Sequence, residues 1–114
     1  MDAFELNELS EQQATGESRY LEFLRVSDLS SGLYVLPAGA EDTQQPHDED
    51  EVYSVLSGRA SIVVEDETRA VQAGSVVYVA AHVEHRFVDI TEELRVLVFF
   101  AASGQRSEAT SPQG

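Results

Sequence analysis

The sequence predicts an all-β fold, a sandwich or barrel built from about eight short strands. Three observations predict it. Short apolar-rich runs recur from Arg19 onward, Gly, Ser and acidic clusters punctuate them, and no stretch between them carries a helical period. At 114 residues the chain suits one domain and leaves no room for a second independent core.

Residues 1–18 read as an N-terminal arm. Within it Phe4 to Gln13 can form a short amphipathic helix, with Phe4, Leu6 and Leu9 on one side and Asp2 as its cap. The barrel is expected over residues 19–100. Its strands are RYLEFLRV from Arg19, GLYVL from Gly32, EVYSVL from Glu51, ASIVV from Ala60, RAVQ from Arg69, SVVYV from Ser75, HRFV from His85 and LRVLVFF from Leu94. The breaks between them (SSG, PAGAEDTQQPHDED, SGR, EDET, AG, AAHVE and DITEE) are turn chemistry, with Gly for positive φ and Asp or Ser for local hydrogen bonds. Several strands are apolar on both faces, as a sheet covered on one side and lining an interior on the other requires. Residues 101–114 lack apolar anchors and read as a flexible, disordered tail.

Charge excludes some functions. Seven cations, all arginine, face twenty-one carboxylates, for a net charge of −14. Such a surface repels nucleic acid and anionic lipid, so neither is expected as a partner. A lysine-free acidic surface also suits high salt, which screens its self-repulsion. That halophilic reading predicts greater stability in molar potassium chloride than in dilute buffer. There is no cysteine, hence no disulfide, thiolate ligand or cysteine nucleophile. The segment MDAFELNELSEQQ has no basic region followed by an apolar core, and a cytoplasmic location is expected.

The three histidines fall in two places, His47 before the third strand and His82 with His85 before the seventh. In an extended chain His47 and Glu51 would lie about 13 Å apart, too far to share one ion. They converge only if the chain folds back at Asp48-Glu49-Asp50, a turn-forming sequence. Taken alone, this acidic run reads as a solvated hairpin tip. It lacks the alternating ligands and central Gly of an EF-hand calcium loop. A lone His85 would likewise read as a hydrogen-bonded histidine at a strand end.

The joint spacing changes that reading, because the chain resembles the cupin family. The first cupin motif runs from Gly39 through Gln45, His47 and Glu51 to Gly58, and the second from Gly74 through Ala80, His82 and His85 to Asp89. The resemblance covers roughly Gly32 to Phe100. It implies a double-stranded β-helix (jelly-roll) barrel with one divalent transition metal, Fe, Mn, Ni, Zn or Co, held by His47, Glu51 and His85. Gln45 stands where the motif has its first histidine and is a candidate fourth ligand through its carbonyl oxygen. Two histidines and one carboxylate resemble the facial triad of non-haem iron enzymes, which leaves positions open for substrate or oxygen. His82 replaces a turn glycine and reads as an exposed turn residue, since His tolerates positive φ better than most. Asp89 replaces asparagine and either hydrogen-bonds a metal ligand from behind or ends the strand.

Strand parity from Glu51 and His85 predicts a small, mostly apolar pocket lined by Tyr53, Val55 and Phe87, with Asp89 on the same face. The function implied is a metal-dependent enzyme, an oxygenase, isomerase or lyase on a small organic substrate, with Tyr53 a candidate proton donor. The alternative is a non-catalytic cupin that binds a small ligand or metal as a sensor, carrier or structural homo-oligomer. Members commonly form homodimers, and the apolar outer faces of LRVLVFF and RYLEFLRV would allow it. A monomeric mass by light scattering would refute that.

Overall fold

Period-two patterning becomes six antiparallel strands in the computed structural model, which describes residues 1–101. The helix α1 (Leu6–Thr15) precedes β1 (Tyr20–Val26), β2 (Leu29–Leu36), β3 (Glu51–Val64), β4 (Glu67–Gln72), β5 (Val76–Val79) and β6 (His85–Ala101). The sheet order is β1-β2-β6-β3-β4, with β5 paired to the first part of β3.

Eight expected strands become six because two pairs fuse. EVYSVL and ASIVV are one strand, β3, and HRFV and LRVLVFF are one strand, β6. The intervening SGR and DITEE are bulges inside paired strands and not turns. Gly58 sits at φ 100° and Asp89 at φ 51°, and the β3–β6 ladder slips in register across this region. An extra residue in a ladder moves the following side chains to the opposite face. In β3 the buried set changes from Glu51, Tyr53 and Val55 to Ala60 and Ile62. In β6 it changes from His85 and Phe87 to Ile90, Leu94, Val96 and Val98. The bulges let both long strands bend around one core without losing their partner.

That core is built on Leu36, Tyr53, Ile62, Phe87, Leu94 and Val96. Burying apolar side chains of this size stabilises by about 1.5–3 kcal/mol each before conformational entropy is counted. A satellite cluster lies outside the sheet, where Leu9 of α1 covers Leu33 and Val35 beside Leu21, Phe23, Leu56 and Leu97. The helix starts at Leu6, with Glu5 as N-cap and no side-chain cap bond, so Asp2 does not cap it. Of the expected apolar side only Leu9 is buried, while Phe4 meets the Phe23 ring edge-on at 4.9 Å. Ala101 still belongs to β6, opposite Leu29. The rest of the expected tail, residues 102–114, lies outside the described residues. Among the described residues no helix is long and apolar enough to cross a membrane.

Candidate metal centre

The site forms where the connection after β2 meets the starts of β3 and β6. Leaving β2 at Pro37, the chain makes a tight turn in which Ala40 N–H donates to the Pro37 carbonyl at 3.0 Å. Gly39 (φ 79°) lets its own N–H reach the Ile90 carbonyl at 2.8 Å. Past this anchor the side chains alternate, with Asp42 buried and Gln44 half-buried while Thr43 and Gln45 face solvent. A bend at Asp48 and Glu49 then returns the chain toward β3. It is held on both sides, as the Asp50 carboxylate accepts from Ala81 N–H at 2.9 Å and the His47 carbonyl from His82 N–H at 2.7 Å.

The fold-back brings three side chains together. Ligand atoms of His47, Glu51 and His85 all lie within 4.8 Å of one another. His85 Nε2 is 3.0 Å from Glu51 Oε2, and His47 Nε2 is 3.9 Å from the same oxygen. Glu51 and His85 are buried, each side chain about 1% exposed, and His47 closes the outer side at 33%.

Hydrogen bonding fixes which atom of His85 faces inward. Its Nδ1 lies 2.8 Å from the Val83 carbonyl, which can only accept, so Nδ1 carries the proton. In the neutral ring Nε2 then presents a lone pair to a carboxylate oxygen 3.0 Å away. Nε2 and Glu51 Oε1 both lack a hydrogen-bond partner among the described residues. Two buried acceptors face to face require a cation or a proton between them. The proton solution shows in the His85 pKa. Burial, the largest single influence, depresses it, but the Glu51 carboxylate beside Nε2, the Val83 carbonyl and the charge of Asp42 outweigh burial and raise it. The metal solution uses the same atoms, and a ligating imidazole whose other nitrogen donates to a carbonyl is the usual arrangement. The donor set therefore fits a transition ion that accepts imidazole and carboxylate.

Above the cluster lies a cavity of about 410 Å³. Glu51, Tyr53, His47 and Val98 meet it from the barrel, Tyr20, Tyr34, Gln44 and Phe100 wall it, and Glu22, Arg25, Ser30 and Glu49 complete its lining. Tyr53 O–H donates to Gln44 Oε1 at 2.9 Å. Burial first, then the charge and hydrogen bonding of Glu51, push the Tyr53 phenol well above the ordinary phenol range, against a smaller opposite pull from Gln44. Tyr53 thus stays protonated at neutral pH, a hydrogen-bond donor and no base. Gln44 is held in turn, its Nε2 donating to Asp42 Oδ2 at 2.6 Å. The buried Asp42 carboxylate also accepts from Tyr34 O–H at 2.6 Å and from Phe87 N–H at 2.9 Å.

Several expected site residues lie elsewhere. Gln45 is exposed and lines no part of this cavity; period-two alternation through Asp42 and Gln44 turns it outward. Asp89 is exposed and borders a separate surface hollow with Arg59 and Arg69, because its bulge ends the parity that runs from His85 to Phe87. Val55 and Phe87 are 2% and 1% exposed in the packed core. The Tyr53 ring separates them from the cavity and meets Phe87 edge-on at 5.0 Å. His82 is an exposed turn residue at φ 69°, 3.5 Å from the Asp48 carboxylate. Asp42, Gln44 and Tyr20 escaped sequence reasoning. The only signal for the first two was the alternation in EDTQQ, inside a stretch that otherwise reads as turn.

Comparison with known proteins identifies the family and the fold. The sequence profile described as "Cupin domain" matches residues 32–100. An uncharacterised protein of Streptomyces coelicolor is 54% identical over 101 residues, covering 89% of this chain and 96% of its own length. Among solved structures, TT1209 from Thermus thermophilus superposes with a TM-score of 0.73 at 20% identity, over 89% of this chain and 97% of that one. A cupin from Methanocaldococcus jannaschii with a double-stranded β-helix fold gives 0.71 at 16% identity, over 95% and 96%. The structural likenesses show the fold, and the chain belongs to the cupin family.

Proposed function

We propose that this cupin holds one divalent transition metal at His47, Glu51 and His85 and acts through it on a small organic molecule in the adjoining cavity, as a metal-dependent oxygenase, isomerase or lyase. One observation carries the reading. The lone pair of His85 Nε2 faces the Glu51 carboxylate with no hydrogen bond to either Nε2 or Oε1 among the described residues, and Glu51 and His47 line the adjoining cavity. Three protein ligands are a poor purely structural set and leave positions for substrate. A metal bound there would supply Lewis-acid or oxygen-activating chemistry.

The chain's own residues have definite parts. The Val83 carbonyl fixes the His85 tautomer, and Gln44 with Asp42 fixes the direction of the Tyr53 hydroxyl. Tyr53, held neutral, gives its one proton to the Gln44 hydrogen bond, so it offers the substrate an acceptor oxygen and cannot remove a proton from it. His47 is the ligand nearest solvent, so the ion enters and leaves on its side.

Metal analysis of protein purified without chelator tests the proposal. About one equivalent of a transition metal is expected, with His47→Ala losing it while remaining folded. Less than about a tenth of an equivalent, with no uptake on reconstitution, refutes it. Oxygen uptake by the iron-loaded protein over a panel of small carbonyl compounds and phenols then separates an oxygenase from other activities. The outward position of Gln45 favours a second reading, a non-catalytic metal or ligand binder, because it leaves the site one candidate ligand short.

A further inference from the structure

The lining of the cavity is selective by charge and by hydrogen-bond polarity. Three carboxylates, Glu22, Glu49 and Glu51, border it against one cation, Arg25. Glu22 already engages that cation through two hydrogen bonds, from Arg25 Nη2 to Oε1 at 2.6 Å and from Nε to Oε2 at 3.0 Å. A guanidinium bound bidentately to a carboxylate has its charge largely offset, although three of its N–H groups stay free. Glu49, half-buried at the bend, makes no ion pair or hydrogen bond among the described residues. Because Glu51 is engaged at the metal site, the carboxylate left over for a ligand is Glu49.

The hydroxyl groups point the same way. Tyr34 O–H donates to Asp42 and Tyr53 O–H to Gln44, so these two phenol oxygens have only acceptor capacity left for anything in the cavity, while the Tyr20 hydroxyl is buried without a hydrogen-bond partner among the described residues. The walls between them are rings set edge to face. Tyr20 meets Tyr34 at 6.1 Å and 70° and Phe100 at 6.4 Å and 74°. Phe100 meets His47 at 5.0 Å and 66°. Rings at steep angles make the sides of a box, and their electron-rich faces attract a cation that has shed its water. Gly32 makes this wall possible, since a Cβ there would fall 2.2 Å from the Tyr20 hydroxyl oxygen.

We propose that the cavity takes a small organic ligand carrying a protonated amine, seated among Tyr20, Tyr34 and Phe100 with its N–H groups directed to the phenol oxygens of Tyr34 and Tyr53 and its charge to Glu49. This deepens the function proposed above, being a reading of the same cavity, but the seat is built from side chains other than the three metal-binding ones. Small carboxylates and phosphates are expected to bind more weakly than the amine, because they meet the Glu49 charge and the acceptor oxygens of Tyr34 and Tyr53.

Three probes with one hydrocarbon body and different charge test it: 3,3-dimethylbutylamine, 3,3-dimethylbutanol and 3,3-dimethylbutyrate. Each is titrated calorimetrically into the full chain with chelator present and again with one equivalent of zinc. The amine is expected to bind at least about tenfold tighter than the alcohol, and the butyrate weakest. In Glu49→Gln the amine's advantage shrinks while alcohol binding is retained, which separates loss of charge from loss of fold. Equal affinities, a preference for the butyrate, or no saturable binding of the amine overturns the proposal. Zinc uptake without amine preference sinks this inference alone, whereas amine preference without zinc uptake sinks the metal reading alone.

Discussion

At the scale of single residues the site turns on where protons sit. In the metal-free protein His85 and Glu51 are compatible when a proton lies between them, and the His85 pKa is raised accordingly. A group whose pKa is higher folded than unfolded contributes stability that is fully present below its unfolded value, about 6.5 for histidine. That contribution fades as pH rises through the folded value. Melting in chelator is therefore expected to shift to lower temperature as pH goes from about 6 to above 8. With metal bound the ion replaces the proton, and the decline should vanish over the same range. A metal-free melting profile that is flat or rises with pH would count against this account. Asp42 works at the same scale through hydrogen bonds. By accepting from Tyr34, Gln44 and Phe87 it sets which way two phenols in the cavity point and ties the loop to β6 two residues from His85. It stands at an unspecified position of the first motif, and a buried aspartate in a turn-like sequence looks the same as an exposed one until the alternation around it is known.

At the scale of elements, the strand runs were legible because period-two alternation survives in short windows, and the fold-back at Asp48 to Asp50 was legible because extended geometry forbids the alternative. The fusion of runs was not. A glycine between two apolar runs is the signature of a turn and equally of a bulge, and only the partner strand distinguishes them. The loss of Asp89 from the cavity has the same root, since parity was carried through a residue that breaks it. Gly58 tests this view. It combines φ 100° with a position where a Cβ would meet Glu93 O at 2.2 Å and Leu94 Cα at 2.7 Å. Gly58→Ala should cost about 2–5 kcal/mol, from left-handed backbone strain plus overpacking against a backbone that cannot give way. Urea unfolding measures it. A loss below about 1 kcal/mol would mean that the ladder tolerates a regular strand here and that the bend is not set by this residue.

At the scale of the whole molecule, a net charge of −14 on 114 residues is the dominant long-range feature. Among the described residues the ion pairs of arginine that offset it are local, Arg25 with Glu22 and Arg59 with Glu92 on the surface and the half-buried Arg95 with Glu93. Such pairs contribute about 0–1 kcal/mol each, and they consume three of the seven arginines without relieving the carboxylates elsewhere. The β3–β4 turn shows the imbalance, with Glu65, Asp66 and Glu67 adjacent and exposed and no cation among them. Self-repulsion of this kind is screened over about 10 Å at 0.1 M salt and about 3 Å at 1 M. The folded chain holds these charges closer than the unfolded chain does, so screening stabilises the fold. The melting temperature is expected to climb with potassium chloride up to the molar range, most steeply at low concentration. General salting effects also raise melting temperatures, and a variant separates the two causes. Asp66→Asn with Glu67→Gln removes two exposed charges while keeping side-chain shape, so it should melt higher than the parent in dilute buffer and gain less from salt. If parent and variant respond identically to salt, the repulsion is too weak to matter and the acidity serves solubility alone.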